Sequence, residues 1–298
     1  MFKFALHSVS YSGTWGGQCR LPLESIISKA KEFGYDGIEI AAKRPHGSVL
    51  DLDSDSRKRL KDLIKSKGLE IPCLAGYNDF ADPSPYNREI NQIYVREVIK
   101  LANDLDTGLV RVFASGMGAM HKGASFEEQW GWVRENLIEV VKYAGDQGIV
   151  LGLQNHPPIM HSYHNVLQMI KEVDSDNLKA IIDAPLLFQA GEGGKIEEAV
   201  EKTGDLMVYC HTGAHKLLPG PFERTEIAGG VLRKTYKFQG VPMGEGDEDY
   251  RTYFRTLKKI GFDGFFSYEI CGPVVGGGGE KNLDKCSKKS LEFMKSLS

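Results

Sequence analysis

The chain has 298 residues, 41% of them hydrophobic and 26% charged, with a formal net charge of −3. That length and apolar share suit a sizeable core, and the nearly balanced charge argues against electrostatic capture of nucleic acid or of an anionic membrane. No apolar run approaches a membrane span, no signal-peptide stretch opens the chain, and Cys19, Cys73, Cys210, Cys271 and Cys286 form no C-x-x-C pair, which reads as a cytoplasmic protein with reduced thiols.

The first strand-like run spans Phe2 to Val9. Pro22 then suits the first turn of a helix with Ile26, Ile27, Ala30 and Phe33 on one face and Gly34 at its close. A second strand, Gly37 to Ala41, carries Glu39 between two isoleucines; the third runs from Leu69 to Ala75 and the fourth from Leu109 to Ala114. Ser125 and Glu128 form a capping-box pattern ahead of Trp130, Val133, Leu137 and Val141 at helical spacing, and Gly148 ends that helix. The fifth strand is Ile149 to Gln154, the sixth Leu178 to Asp183 and the seventh Leu206 to His211. An irregular stretch from about 212 to 246 follows and reads as a long loop or lid. Asp247, Glu248 and Asp249 then crowd a helix start, where acids complement the dipole, and Gly264 to Ile270 forms the last strand. The glycines 276–279 read as a flexible run rather than a phosphate loop, since no Lys or Arg closely precedes them.

Near-continuous apolar strands separated by amphipathic helices predict a parallel sheet covered on both faces. Eight such units predict an α/β protein with one (β/α)8 TIM barrel over residues 1–298. Barrel chemistry gathers at the C-terminal strand ends. Here four successive strands end in Gln154, Asp183, His211 and Glu269, each polar group interrupting an apolar run. Converging on one volume, this mixed oxygen and nitrogen set suits one divalent cation, Mn2+ foremost, with Mg2+, Co2+ and Zn2+ as alternatives. A purely structural hydrogen-bond network is the competing reading.

In Asp183, His211 and the stretch Gly244-Glu245-Gly246-Asp247 through to Ser267-Tyr268-Glu269, the chain resembles the xylose-isomerase-like barrel superfamily. That superfamily includes sugar and sugar-phosphate isomerases, ketose 3-epimerases, inosose dehydratases and endonuclease IV. The resemblance implies one divalent metal held by Gln154, Asp183, His211 and Glu269, chelating two neighbouring substrate oxygens while acidic residues move a proton at the adjacent carbon. Three positions depart from the ketose epimerases. Gln154 stands where a glutamate is expected and cannot act as a base; Leu186 replaces a substrate-binding histidine and Leu217 an arginine.

The missing base falls to His156, which alternation places on the face of Gln154 if the strand stays extended, with a loop histidine capping the next helix as the equal alternative. Glu269 is the second catalytic candidate. Glu39, His7, Trp15, Arg111, His215 and Lys216 are candidates for contacting substrate, each with packing or solvent exposure as its ordinary explanation. The expected activity is a metal-dependent isomerase or epimerase acting on a sugar or keto-sugar through an enediolate. The alternatives are a lyase that expels a leaving group from a keto-sugar, inositol ketone or oxidised glycoside, and an auxiliary subunit with a weakened site. The partner expected is a small carbohydrate, with no nucleic acid or membrane, and a homo-oligomer is compatible.

Overall fold

The computed structural model describes residues 2–116, 120–218, 224–228, 231–235 and 238–298. Its strands are β1 (Lys3–His7), β2 (Gly37–Ala41), β3 (Leu74–Ala75), β4 (Leu109–Val112), β5 (Val150–Gln154), β6 (Leu178–Asp183), β7 (Met207–Thr212), β8 (His215–Leu217), β9 (Arg224–Ala228), β10 (Val231–Thr235), β11 (Phe238–Gly240) and β12 (Phe265–Tyr268). Its helices are α1 (Leu23–Phe33), α2 (Ser54–Ser66), α3 (Pro85–Asp104), α4 (Phe126–Asp146), α5 (Tyr163–Val173), α6 (Ala184–Gln189), α7 (Ile196–Thr203), α8 (Tyr250–Lys259) and α9 (Glu280–Leu297). Eight strands close in the order β1-β12-β7-β6-β5-β4-β3-β2, all parallel, so the chain is a (β/α)8 TIM barrel.

Local chemistry accounts for these elements. The Ser125 side chain accepts from Glu128 N while the Glu128 carboxylate accepts from Ser125 N, the full capping box at the start of α4. Pro22 is the N-cap of α1, and Gly34 closes that helix at φ 88°, a left-handed conformation that glycine adopts without a Cβ penalty. The third strand is shorter than its apolar run. Pro72 has no N–H to give a ladder, so Glu70 pairs only as an isolated bridge to Gly37 and regular pairing resumes at Leu74.

The excursion after β7 is not wholly irregular. β8 pairs antiparallel with β11, and β9 with β10. The runs flanking Gly229-Gly230 are rich in β-formers, a hairpin signal in the sequence that the loop reading passes over. The glycine run after β12 is also partly packed: Cys19 N donates to Gly278 O, and a Cβ on Gly278 would collide with the Gly17 carbonyl and the Gln18 backbone. No described helix is long and apolar enough to cross a membrane. Phe2, Phe4, Phe254, Phe262 and Phe266 pack together around the N-terminal ends of β1 and β12, with Phe254 and Phe266 stacked at 4.5 Å. That cluster lies between the barrel wall and α8, while inside the barrel Cys73, Ile181 and Tyr209 pack with Leu109 and Phe265 as a separate apolar cluster below the titratable side chains.

Candidate active site

Strand register sets the geometry. Asp183 pairs with His211, His211 with Ser267, and His7 with Glu39, so β6, β7, β12, β1 and β2 deliver their polar residues at neighbouring heights. Asp183, His211 and Glu269 each offer one ligand atom, and those atoms lie within 4.8 Å of one another. Asp183 is also the N-cap of α6: its Oδ1 accepts from Leu186 N at 2.9 Å, and Asn155 braces its backbone through both amide atoms. His211 lies fully buried, with Nε2 3.0 Å from Glu39 Oε1 and Nδ1 3.7 Å from Glu269 Oε2. An Nε2–H donated to Glu39 leaves the Nδ1 lone pair facing the carboxylates, the arrangement in which a carboxylate orients a metal-binding imidazole.

The charges of this cluster are interdependent. Burial opposes ionisation of Glu39, but His211 and His7 outweigh it and hold Glu39 well below the usual carboxylate range. Burial likewise disfavours the His211 imidazolium, yet Glu39 and Glu269 raise its affinity for a proton overall. Asp183 is pushed well above the usual carboxylate range by burial and by the facing Glu269. Glu269 goes the other way: burial works against it, and His211, His7 and Arg111 keep it below the ordinary value. His7 sits beneath, its Nε2 3.8 Å from Glu269 and 4.0 Å from Glu39, and burial lowers its pKa to about 4. Among the described residues the Nε2 of His7 has no hydrogen-bond partner. Two carboxylates pressed together in a dry site, with an oriented imidazole between them, fit a divalent cation.

The β4–β5 side is built differently. Arg111 Nη1 donates to Gln154 Oε1 at 2.9 Å and Nη2 to Gly76 O at 2.8 Å. A guanidinium can only donate, so it fixes the Gln154 amide with oxygen toward Arg111. The amide nitrogen therefore faces the cluster, donating to Asp183 Oδ2 at 2.8 Å and lying 3.3 Å from His211 Nδ1. Gln154, expected as a fourth and weaker ligand, presents a donor rather than a lone pair to the metal position. It is the link between Arg111 and Asp183.

A cavity of about 380 Å³ opens above both sides, lined by Lys43, Tyr77, Arg111, Gln154, His156, Asp183, His215 and Glu269 among others. His156 stacks on Phe113 at 4.1 Å between ring centroids, and its Nδ1 lies 2.8 Å from the Pro157 carbonyl, which can only accept. That bond puts the proton on Nδ1 and leaves Nε2 with a lone pair. Burial and Arg111 lower the His156 pKa to about 4, so the ring is neutral near pH 7. His215 reaches the cavity with Nδ1 3.2 Å from Glu248 Oε1, and Glu248 also accepts from His215 N.

Other expected contacts fall elsewhere. Lys216 is exposed on β8, and Trp15 packs against the core; neither lines the cavity. Glu39 and His7 lie under the floor with no exposed surface, one layer below a substrate. Three residues escaped the sequence reading. Glu248 belongs to an acidic trio whose neighbour Asp249 does cap α8, so its inward turn to His215 leaves no separate trace. Lys43 and Tyr77 come from loops after β2 and β3, where no motif marks them.

The family described as xylose isomerase-like TIM barrel matches residues 27–297. Fructoselysine 3-epimerase of Escherichia coli O157:H7 is 29% identical over 266 residues, covering 85% of this chain and 87% of that protein. The structure of D-psicose 3-epimerase with D-tagatose from Clostridium cellulolyticum H10 superposes with TM-score 0.77 at 18% identity, covering 99% of each chain. The apo structure of 3-keto-D-glucoside 4-epimerase from E. coli superposes with TM-score 0.73 at 16% identity, over 99% of this chain and 100% of that one. These structural likenesses establish a shared fold.

Proposed function

The chain belongs to the xylose isomerase-like TIM-barrel family, and from that premise we propose that it is a metal-dependent epimerase of a ketose or keto-sugar. The observation that carries the reading is the convergence of Asp183, His211 and Glu269 within 4.8 Å on the floor of the cavity that His156 lines. The similarity to fructoselysine 3-epimerase supports the reaction class.

Asp183, His211 and Glu269 would hold the cation, Mn2+ by the donor set. When bound, a divalent ion supplies Lewis-acid polarisation of a carbonyl and its neighbouring hydroxyl. The protein's own groups handle the proton. Epimerisation removes a proton from the carbon next to the carbonyl, leaving the C–H electron pair delocalised onto the carbonyl oxygen, and returns a proton to the opposite face. Gln154 cannot serve here, since a neutral amide is too weak a base to take up the proton and its oxygen already accepts from Arg111. Glu269, an ionised carboxylate, and His156, a neutral imidazole with its Nε2 lone pair free, form the acid–base pair. Arg111 and Gln154 position Asp183, and Glu248 orients His215 toward the substrate.

The test is exchange of the substrate's α-hydrogen with solvent. Ketoses incubated with Mn2+-loaded protein in D2O should gain deuterium at that carbon, and exhaustive chelation should stop the exchange. Undiminished exchange after chelation overturns the metal dependence. Elimination of water or an aglycone, in place of an epimer, would reassign the same site to a lyase.

A further inference from the structure

The cavity is electrically two-ended. At one end the carboxylates of Asp183 and Glu269 face the metal position. At the other, Lys43 lies on the wall with its Nζ 3.4 Å from the Tyr77 ring centroid, and the Arg111 guanidinium sits over the same ring at 4.7 Å. Arg111 is already spent on Gln154 and Gly76. Lys43 is not: with the described residues it forms no hydrogen bond or ion pair, only the contact with the aromatic face. A cation–π contact holds an ammonium in place but offsets only part of what it loses on leaving water.

By contrast, Arg111 has Gln154 and Gly76 as polar partners, His211 has Glu39, and His215 has Glu248. Burial and Arg111 bring the Lys43 pKa down to about 8, while Cys271 and Glu269 oppose that shift without ion pairing. Lys43 is thus a half-buried ammonium on the cavity wall, next to a phenol that has no hydrogen-bond partner for its hydroxyl among the described residues.

We infer that Lys43 and Tyr77 form a subsite for an anionic oxygen group, a carboxylate or phosphate, at the end of the substrate away from the metal. The substrate is then an acidic or phosphorylated sugar rather than a neutral one. This rests on the sugar-binding reading of the cavity but not on metal dependence or on proton transfer. A carboxylate needs one ammonium and one hydroxyl donor, both of which stand here; a phosphate would draw further on Arg111 and on water.

D-Fructose, D-fructuronate and D-fructose 6-phosphate share one skeleton and differ at the far carbon, so they separate these cases. Their dissociation constants are measured by calorimetry on Mn2+-loaded and EDTA-treated wild type, K43M and K43R. The wild type should bind one of the two anions about tenfold or more tighter than D-fructose, with or without Mn2+. K43M should reduce that preference to about one while leaving the D-fructose value in place, and K43R should keep most of it. Preference for D-fructuronate alone assigns a carboxylate; preference for D-fructose 6-phosphate alone assigns a phosphate. Equal binding of all three by the wild type, or an anion preference that survives in K43M, overturns the inference. An anion preference that depends on Lys43 in a protein showing no α-hydrogen exchange would leave the subsite standing and remove the epimerase.

Discussion

The two sides of the cavity floor solve the same problem of buried charge in opposite ways. On the β6–β7–β12 side, Asp183, His211 and Glu269 crowd together over Glu39, an excess of acid that calls for an added cation. On the β4–β5 side the protein carries its own cation: Arg111 is buried, bonded to Gln154 and Gly76, and laid over Tyr77 and Phe113. Gln154 joins the sides, its oxygen toward one and its nitrogen toward the other. An amide suits that junction because it accepts and donates at once, whereas a carboxylate could only accept. In the proposed metal site, Asp183, His211 and Glu269 would hold the cation, and the amide at 154 is left to align Asp183.

The largest effect should come from the acidic side. Glu269→Gln removes both a ligand and one member of the acid–base pair, so turnover should fall by three orders of magnitude or more, on the order expected when such groups act as a unit. Metal content measured on the same sample should fall with it, while circular dichroism stays native. A folded, metal-replete and active Glu269→Gln would dissolve the distinction between the two sides.

His156→Gln tests the facing wall next. Loss of an acid–base group costs roughly 10²- to 10⁴-fold, and the loss should appear in kcat with metal affinity unchanged. Arg111→Lys is smaller and falls on stability: a point ammonium cannot serve Gln154 and Gly76 through one planar fork. A lost charge-assisted bond is worth about 1.5–3 kcal/mol, to be read from urea denaturation. The smallest change is Lys43→Met, which replaces a poorly solvated ammonium with an apolar chain and should raise the Tm slightly at pH 7. The sign follows from linkage. A lysine whose folded pKa lies near 8, below its unfolded value of 10.5, contributes a penalty that is complete below pH 8 and fades as pH rises to 10.5. The gain in Tm should therefore shrink between those pH values.

The barrel was legible because its signals are local. Apolar strand runs, the Ser125–Glu128 box and the Gly34 stop each specify their element without help from the rest of the chain. The polar strand ends were legible for the same reason, since Asp183, His211 and Glu269 stand out against apolar neighbours. Orientation was not. Nothing in the order of residues says that Arg111, on the adjacent strand, fixes which atom of Gln154 faces the cluster. Glu248 was hidden for a related reason: three acids before a helix read as a dipole feature, and only the packed structure separates the cap, Asp249, from the residue that turns inward.

In the proposed mechanism proton transfer has moved from residue 154 to His156, and 154 serves as a strut. Deuterium incorporation at the α-carbon of a ketose, followed by NMR in D2O with saturating Mn2+, reads that step directly in Gln154→Glu and His156→Ala. Gln154→Glu should bind Mn2+ more tightly, because a carboxylate brings full charge, yet exchange no faster than wild type, and His156→Ala should nearly abolish exchange. Faster exchange in Gln154→Glu together with undiminished exchange in His156→Ala would contradict that mechanism.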